Sequence, residues 1–405
     1  MTPPLSEVGA ALCLLFILLV PFALAGLALI NTGLIRSRSA AHSMMASLCV
    51  FSVAVIVYFV CGHAWQGYAG FLRGLDLDGS RASLAACLQM LALGLAALIP
   101  LGAAAERWRL GASCASTALL AGVIWPLFAH WSSGGWLAQL GARYALGHGY
   151  LDAGGAGFIH AVGGLTALSL VWILGPRRGK YTLDGMPAAI PGHSGVFVLF
   201  GCLLALAGWL GLNCAGAILF TGASPAVAPR VIINTILAAA AAALTSVVIT
   251  RVRFGKPDAS LTANGWVGGL VAGSAACAFA KPPEAVITGL VAGALVPFSV
   301  EWLELHLGID DPGGAISVHA VGGLWGVLAA GLFAPYPGQW LAQVIGIATL
   351  LGFVLPLAYG SNWLLNRFLP QRAAVEGERQ GLDLYELGAG AYPEFLTHSE
   401  EFTQR

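Results

Sequence analysis

Residues Asp152–Leu165 read DAGGAGFIHAVGGL, and residues Asp311–Leu324 read DPGGAISVHAVGGL. Ten of the fourteen positions are identical, and each copy carries a histidine eight residues after an aspartate: His160 after Asp152, His319 after Asp311. The surroundings are apolar. Charged residues are 9% of the 405, where a soluble domain carries about 25%, apolar residues are 58%, and mean hydropathy is +0.81. Apolar segments long enough for a ~30 Å hydrocarbon core recur along nearly the whole chain, so the expected class is an all-α integral membrane protein embedded in a lipid bilayer. A lipid-facing β-barrel would alternate polar and apolar residues instead.

Apolar runs bounded by charged or Gly/Pro breaks predict eleven transmembrane helices, near 8–34, 42–64, 83–104, 112–131, 156–175, 194–214, 230–250, 263–280, 284–304, 314–334 and 340–364. The first continues to residue 35 with no basic residue ahead of it, so it reads as a span and not as a signal peptide. With the N-terminus outside, the outer segments hold Arg73, Arg81, Arg143, Arg230 and Lys281, and the inner ones hold the other 14 of the 19 basic residues, Arg405 included. The positive-inside rule then puts the C-terminus in the cytoplasm and the protein in the cell (inner) membrane. The chain divides into a transmembrane domain, 1–364, and a cytoplasmic tail, 365–405.

In this count the two copies open helices five and ten, each the last of a five-helix unit. Five is odd, so the second unit must insert upside down. The repeat therefore predicts two inverted five-helix repeats, about 8–175 and 194–334, followed by helix eleven at 340–364. His160 and His319 then enter the membrane from opposite faces and can meet near its middle. An ionisable residue at that depth is costly and marks a functional site, usually with a partner. Two neutral imidazoles can share one proton and leave their outer nitrogens facing a pore, a polar line suited to a small molecule that both donates and accepts hydrogen bonds. The bland alternative is that each histidine only bonds a nearby carbonyl.

Asp152 and Asp311 stand at helix N-termini, where a carboxylate accepts unpaired N–H groups; this makes Asp311 a structural cap. Asp152 can also raise the local cation concentration at the outer mouth. The eight cysteines form no CxxC pair or His/Cys cluster and read as buried small residues. No nucleophile–base pair or phosphate loop suggests an enzyme, and no nucleic-acid partner is expected. The remaining histidines (42, 63, 130, 148, 193, 306, 398) fall in loops or at helix ends and are given no role.

At these residues the chain resembles the ammonium transporter (Amt/Rh) family. Neighbouring segments agree: Ala105-Glu106-Arg107, WSSGGWL (131–137), GWLGLNCAG (208–216) closing helix six, INT (233–235), GKPDASLTANG (255–265) and GLDLYELGAGAY (381–392). The resemblance implies a homotrimer with one pore per subunit and no metal or organic cofactor. It also implies that ammonium gathers at an outer vestibule, is deprotonated, and passes as ammonia along His160 and His319 while the proton follows separately. Trp131 would offer a cation–π face to the ion. The tail is similar to the family's regulatory motif and implies a PII-type signalling protein as partner, although Leu387 and Ala389 replace the usual His and Glu.

Three pore positions depart from the family. The two stacked gate phenylalanines fall on Ala92 and Leu212, and the vestibule serine falls on Gly216. The expectation is a pore whose outer half is more open than in relatives. Ammonium/ammonia transport stays first; a channel for another neutral small molecule such as carbon dioxide, and an ammonium sensor with little flux, stay as alternatives. A sodium-coupled symporter would want unwound helices around a midplane ion, and helices five and ten have no internal proline.

Overall fold

The computed structural model describes residues 5–66 and 81–392. Arg73, His398 and Arg405 lie outside the described residues, as does the tail beyond 392. Among the described residues there is no β-strand, only two isolated bridges. Ten helices among the described residues are long and apolar enough to cross a membrane: α1 (Glu7–Gly33), α2 (Ser37–Val60), α3 (Arg81–Ala104), α4 (Leu110–Ser133), α5 (Ala156–Leu174), α6 (Gly195–Thr221), α7 (Pro225–Phe254), α9 (Pro282–Leu307), α10 (Ile316–Phe333) and α11 (Gln339–Phe368). Between α7 and α9 runs α8 (Ala259–Ala276), which covers the expected eighth segment. It is rich in Ala, Gly and Ser and mostly buried against protein, so it has little need of an apolar outer face. A short α12 (Val375–Gln380) lies in the tail.

Observed bounds differ from the expected ones mainly at α6, which runs on to Thr221; GWLGLNCAG therefore sits inside the helix and does not close it. Leu199, Leu203, Leu244 and Val248 are among many large apolar side chains left exposed on the outside. In water such a surface would drive aggregation; facing lipid it costs nothing.

Four spans contain a π-turn: Leu120–Ile124, Ala156–Ala161, Ile316–Val321 and Leu350–Val354. Two of these precede Pro126 and Pro356, where a ring with no N–H breaks the ordinary i→i−4 ladder. The other two open α5 and α10 and contain His160 and His319. The same two helices meet without side chains between them. A Cβ on Gly164 would overlap the backbone of Ala320, and one on Gly323 would press on Ala161 and the Ala156 carbonyl. Gly164 and Gly323 occupy equivalent positions in the two copies, as do Ala161 and Ala320. The contact is therefore reciprocal.

At one end of the bundle the charged residues of the loops are buried together. Glu106 accepts hydrogen bonds from Arg36 and, at 2.5 Å, from Arg177 Nη1. Asp310 accepts from Arg177 Nε and Nη2, both at 2.9 Å, and Arg107 Nη2 donates to the Asp310 carbonyl at 2.7 Å. Burying charge is tolerable only when it is paired and hydrogen-bonded in this way. The tail docks at the same end. Asp383 accepts from the Ala41 and His42 N–H groups at the start of α2, and Glu386 lies 2.8 Å from His42 Nε2 and accepts from the Leu110 N–H. His193 Nε2 lies 3.0 Å from the Tyr392 hydroxyl. His42 and His193, given no role from the sequence, thus hold the tail.

Candidate functional site

Each π-turn is started by its aspartate. Asp152 Oδ1 accepts from the Gly155 N–H at 3.0 Å, and Oδ2 from Gly157 at 2.8 Å and Phe158 at 3.1 Å. Asp311 Oδ1 accepts from Ala315 at 3.0 Å and Oδ2 from Ile316 at 2.7 Å. Both carboxylates satisfy N–H groups that a helix start leaves unpaired. The widened turn that follows carries the histidines inward until His319 Nδ1 and His160 Nδ1 are 3.3 Å apart, with ring centroids at 5.2 Å and planes 27° apart. Neither ring has more than 1% of its surface exposed. The Trp209 indole stacks on His160 at 5.0 Å and 8°.

Two cavities reach the π-turns that carry this pair. The first, about 300 Å³, is lined by Asp152, Tyr150, His148, Tyr336, Phe158 and Phe220 among others. The second, about 160 Å³, is lined by Asp311, Ser317, Asn264, Arg177, Lys180 and Glu304 among others. Phe158 and Ser317 each stand two residues before their histidine and are equivalent in the two copies. Each cavity thus touches the π-turn that carries one histidine. His160 Nε2, Trp209 Nε1 and Ser317 Oγ are buried with no hydrogen-bond partner among the described residues. Orphaned polar atoms in a core are costly unless something mobile satisfies them.

Of the residues singled out in the sequence, only Asp152 lines the first cavity. Trp131 is half-buried, with its ring against Phe353 at 4.7 Å and Trp136 at 6.2 Å, and is not on the cavity wall. Ala92 and Leu212 are buried in the core at 0% and 1% exposure and line neither cavity. Gly216 supports the loop ahead of α5: a Cβ there would strike the Ala153 carbonyl, so backbone proximity explains the glycine. The wall of the first cavity carries rings from other positions. Phe158 and Phe220 form an edge-to-face pair at 5.5 Å on the cavity wall, and Trp125 extends it beyond Phe158 at 6.2 Å.

Sequence reasoning missed Phe158, Phe220, Trp209, Tyr150, His148 and Tyr336. Phe158 and Ser317 were visible as one of four unmatched pairs inside the repeat, and His148 as a histidine between two glycines. Nothing local flagged Tyr336, which reaches His148, at 3.9 Å between ring centroids, only through the fold.

Comparison with known proteins bears on this geometry. Ammonium transporter Amt2 of Archaeoglobus fulgidus is 37% identical over 430 aligned positions, covering 98% of this chain and 90% of that protein. A solved structure titled "Sensor Amt Protein" superposes with a TM-score of 0.84 at 27% identity, covering 93% of this chain and 97% of that one. The crystal structure of Candida albicans Mep2 superposes with a TM-score of 0.80 at 26% identity, covering 95% and 90%. The model of the Ammonium Transporter Family matches residues 11–392, so a chain whose fold is a bundle of membrane-length helices belongs to that family of membrane transporters and is not an enzyme.

Proposed function

We propose that the protein conducts ammonium/ammonia across the cell (inner) membrane through a pore lined by His160 and His319. The first cavity collects the cation. Asp152, a carboxylate fixed by three N–H groups, lends it a negative potential, and the Phe158–Phe220 pair offers ring faces to a cation. Deprotonation there leaves ammonia to cross beside the unpartnered Nε2 of His160, while the proton moves separately, so transport carries charge. An uncharged imidazole pair gives a dehydrated cation no counter-charge and holds it back. The second cavity, with Asp311 and Ser317, is the exit. The observation that carries this reading is the 3.3 Å approach of the two histidines, on π-turns that each give one residue to a cavity wall.

The same reading treats α1 to α11 as eleven membrane spans, α8 included, in two inverted five-helix repeats with the N-terminus outside. Residues 1–364 form the transport domain and 365–405 a cytoplasmic tail. The active form is a homotrimer without metal or organic cofactor, and a PII-type regulator meets it at the tail. Trp131, Ala92, Leu212 and Gly216 shape and support the outer half without touching the ion. Expression in a microbial strain deleted of its own ammonium transporters tests the function. Restored growth on limiting ammonium supports it; a well-expressed protein that restores none leaves ammonium sensing or passage of another neutral molecule as the better account.

A further inference from the structure

The wall of the first cavity that bears His148, Tyr150 and Asp152 belongs to no helix, and its backbone is paired to side chains. Gln339 and Gln343, one turn apart on α11 and both 0% exposed, meet it edge on. Gln339 Oε1 accepts from the His148 N–H at 2.9 Å, and its Nε2 donates to the Gly149 carbonyl at 2.6 Å. Gln343 Oε1 accepts from the Leu151 N–H at 2.8 Å, and its Nε2 donates to the Leu151 carbonyl at 2.7 Å. The two amides thus take the place of a partner strand. Further along the same helix face, Gly346 leaves room for the Tyr150 ring; any Cβ there would overlap it. Gly147 and Gly149, at φ +55° and +79°, let the segment turn to meet all three residues. Tyr150, whose buried hydroxyl has no partner among the described residues, and Asp152, the next residue after this clamped stretch, both line the cavity.

We propose that Gln339 and Gln343 are positioning residues for substrate entry: they hold residues 148–151 in register and so set where Tyr150 and Asp152 stand in the cavity. This rests on the transport reading above. The burial of two primary amides fits the assignment, since α11 faces lipid over much of its length and an apolar side chain would pack there with no desolvation cost. Their polarity serves the segment they hold.

The test uses the full-length protein in lipid nanodiscs and proteoliposomes, with Gln339→Met, Gln343→Met and Gly346→Ala compared with wild type. Methionine keeps the length and removes the amide; Gly346→Ala keeps both amides and displaces Tyr150. Hydrogen exchange read by mass spectrometry is expected to speed up for the peptide containing His148 and Leu151 in the methionine variants, with the peptide over 162–174 unchanged. Ammonium-dependent uptake is expected to show a half-saturation concentration raised about tenfold, the scale of one lost buried hydrogen bond, with the maximal rate held within about twofold of wild type, since a purely structural defect lowers the amount of active protein and leaves half-saturation alone. Unchanged exchange at 148–151 overturns the clamp. Faster exchange with unchanged half-saturation overturns its role in substrate entry. Absence of uptake by the wild-type protein overturns the transport reading itself and is told apart by needing no substitution.

Discussion

His160 and His319 stand 159 residues apart in the chain, and their Nδ1 atoms lie 3.3 Å apart in the fold. At that distance one nitrogen donates and the other accepts, so the pair holds a single proton between its rings. Two imidazolium rings would set like charges and two N–H groups against each other in a buried site. When both rings are neutral, one Nε2 donates and the other accepts, and the pair suits a neutral solute better than a dehydrated ion.

The first prediction concerns the two phenylalanine rings on the wall of the first cavity. Phe158→Ala and Phe220→Ala each remove one half of an edge-to-face pair worth about 0.5–1.5 kcal/mol beyond its buried area and a cation–π face worth about 0.5–2 kcal/mol. The half-saturation concentration for ammonium should rise by roughly threefold to thirtyfold, since each 1.4 kcal/mol is tenfold. Concentration-dependent uptake in proteoliposomes reads it. Equal half-saturation in both variants and wild type would place recruitment elsewhere.

The glycine contact gives a second prediction. Gly164→Leu and Gly323→Leu introduce side chains where α5 and α10 touch backbone to backbone, at equivalent positions of the repeat. Overpacking costs typically 1–3 kcal/mol and more where backbone cannot move. Both variants should lose thermal stability in detergent by similar amounts, whereas Gly111→Leu, where nothing stands within 4 Å, should not. A large loss in one repeat and none in the other would contradict the reciprocal packing.

Third, the buried charge cluster ties stability to pH. Burial alone would raise the Asp310 carboxyl, but the hydrogen bonds from Arg177 and the charges of Arg107 and Arg177 outweigh it and hold it below the ordinary carboxylate range. A group depressed in the folded state contributes stability above its unfolded value, about 3.9, and loses that contribution as pH falls through the folded value. Asp310→Asn removes the contribution and leaves buried guanidinium groups underpaired, at a cost of about 3–5 kcal/mol near neutral pH. Its Tm should therefore lie well below wild type at pH 7, with the gap closing as pH drops below about 4. A gap that stays constant on acidification would show that the Asp310 charge is not what stabilises the cluster.

The fold class was legible because two signals reinforced each other: composition excluded a soluble protein, and the repeat at 152–165 and 311–324 located two equivalent helices. The histidine pair was legible for the same reason, since a periodic motif survives without knowledge of packing. The cavity walls were not. Phe158 and Phe220 become neighbours only when α5 and α6 pack, and positions 92 and 212, which looked decisive by analogy, turn their side chains into the core. Segment 148–151 has no pattern of its own, because its partner is a pair of glutamines almost two hundred residues away.

The central claim is that the histidine pair carries the conducted species. The most direct measurement is the current evoked by an ammonium jump in proteoliposomes on a solid-supported membrane, for wild type and for His160→Ala shown by thermal unfolding to be folded. The account predicts a saturable wild-type current that falls by at least about tenfold when His160 is removed, a loss of the order of one transition-state hydrogen bond. A His160→Ala current equal to that of wild type, or no ammonium-dependent current in either protein, would contradict it.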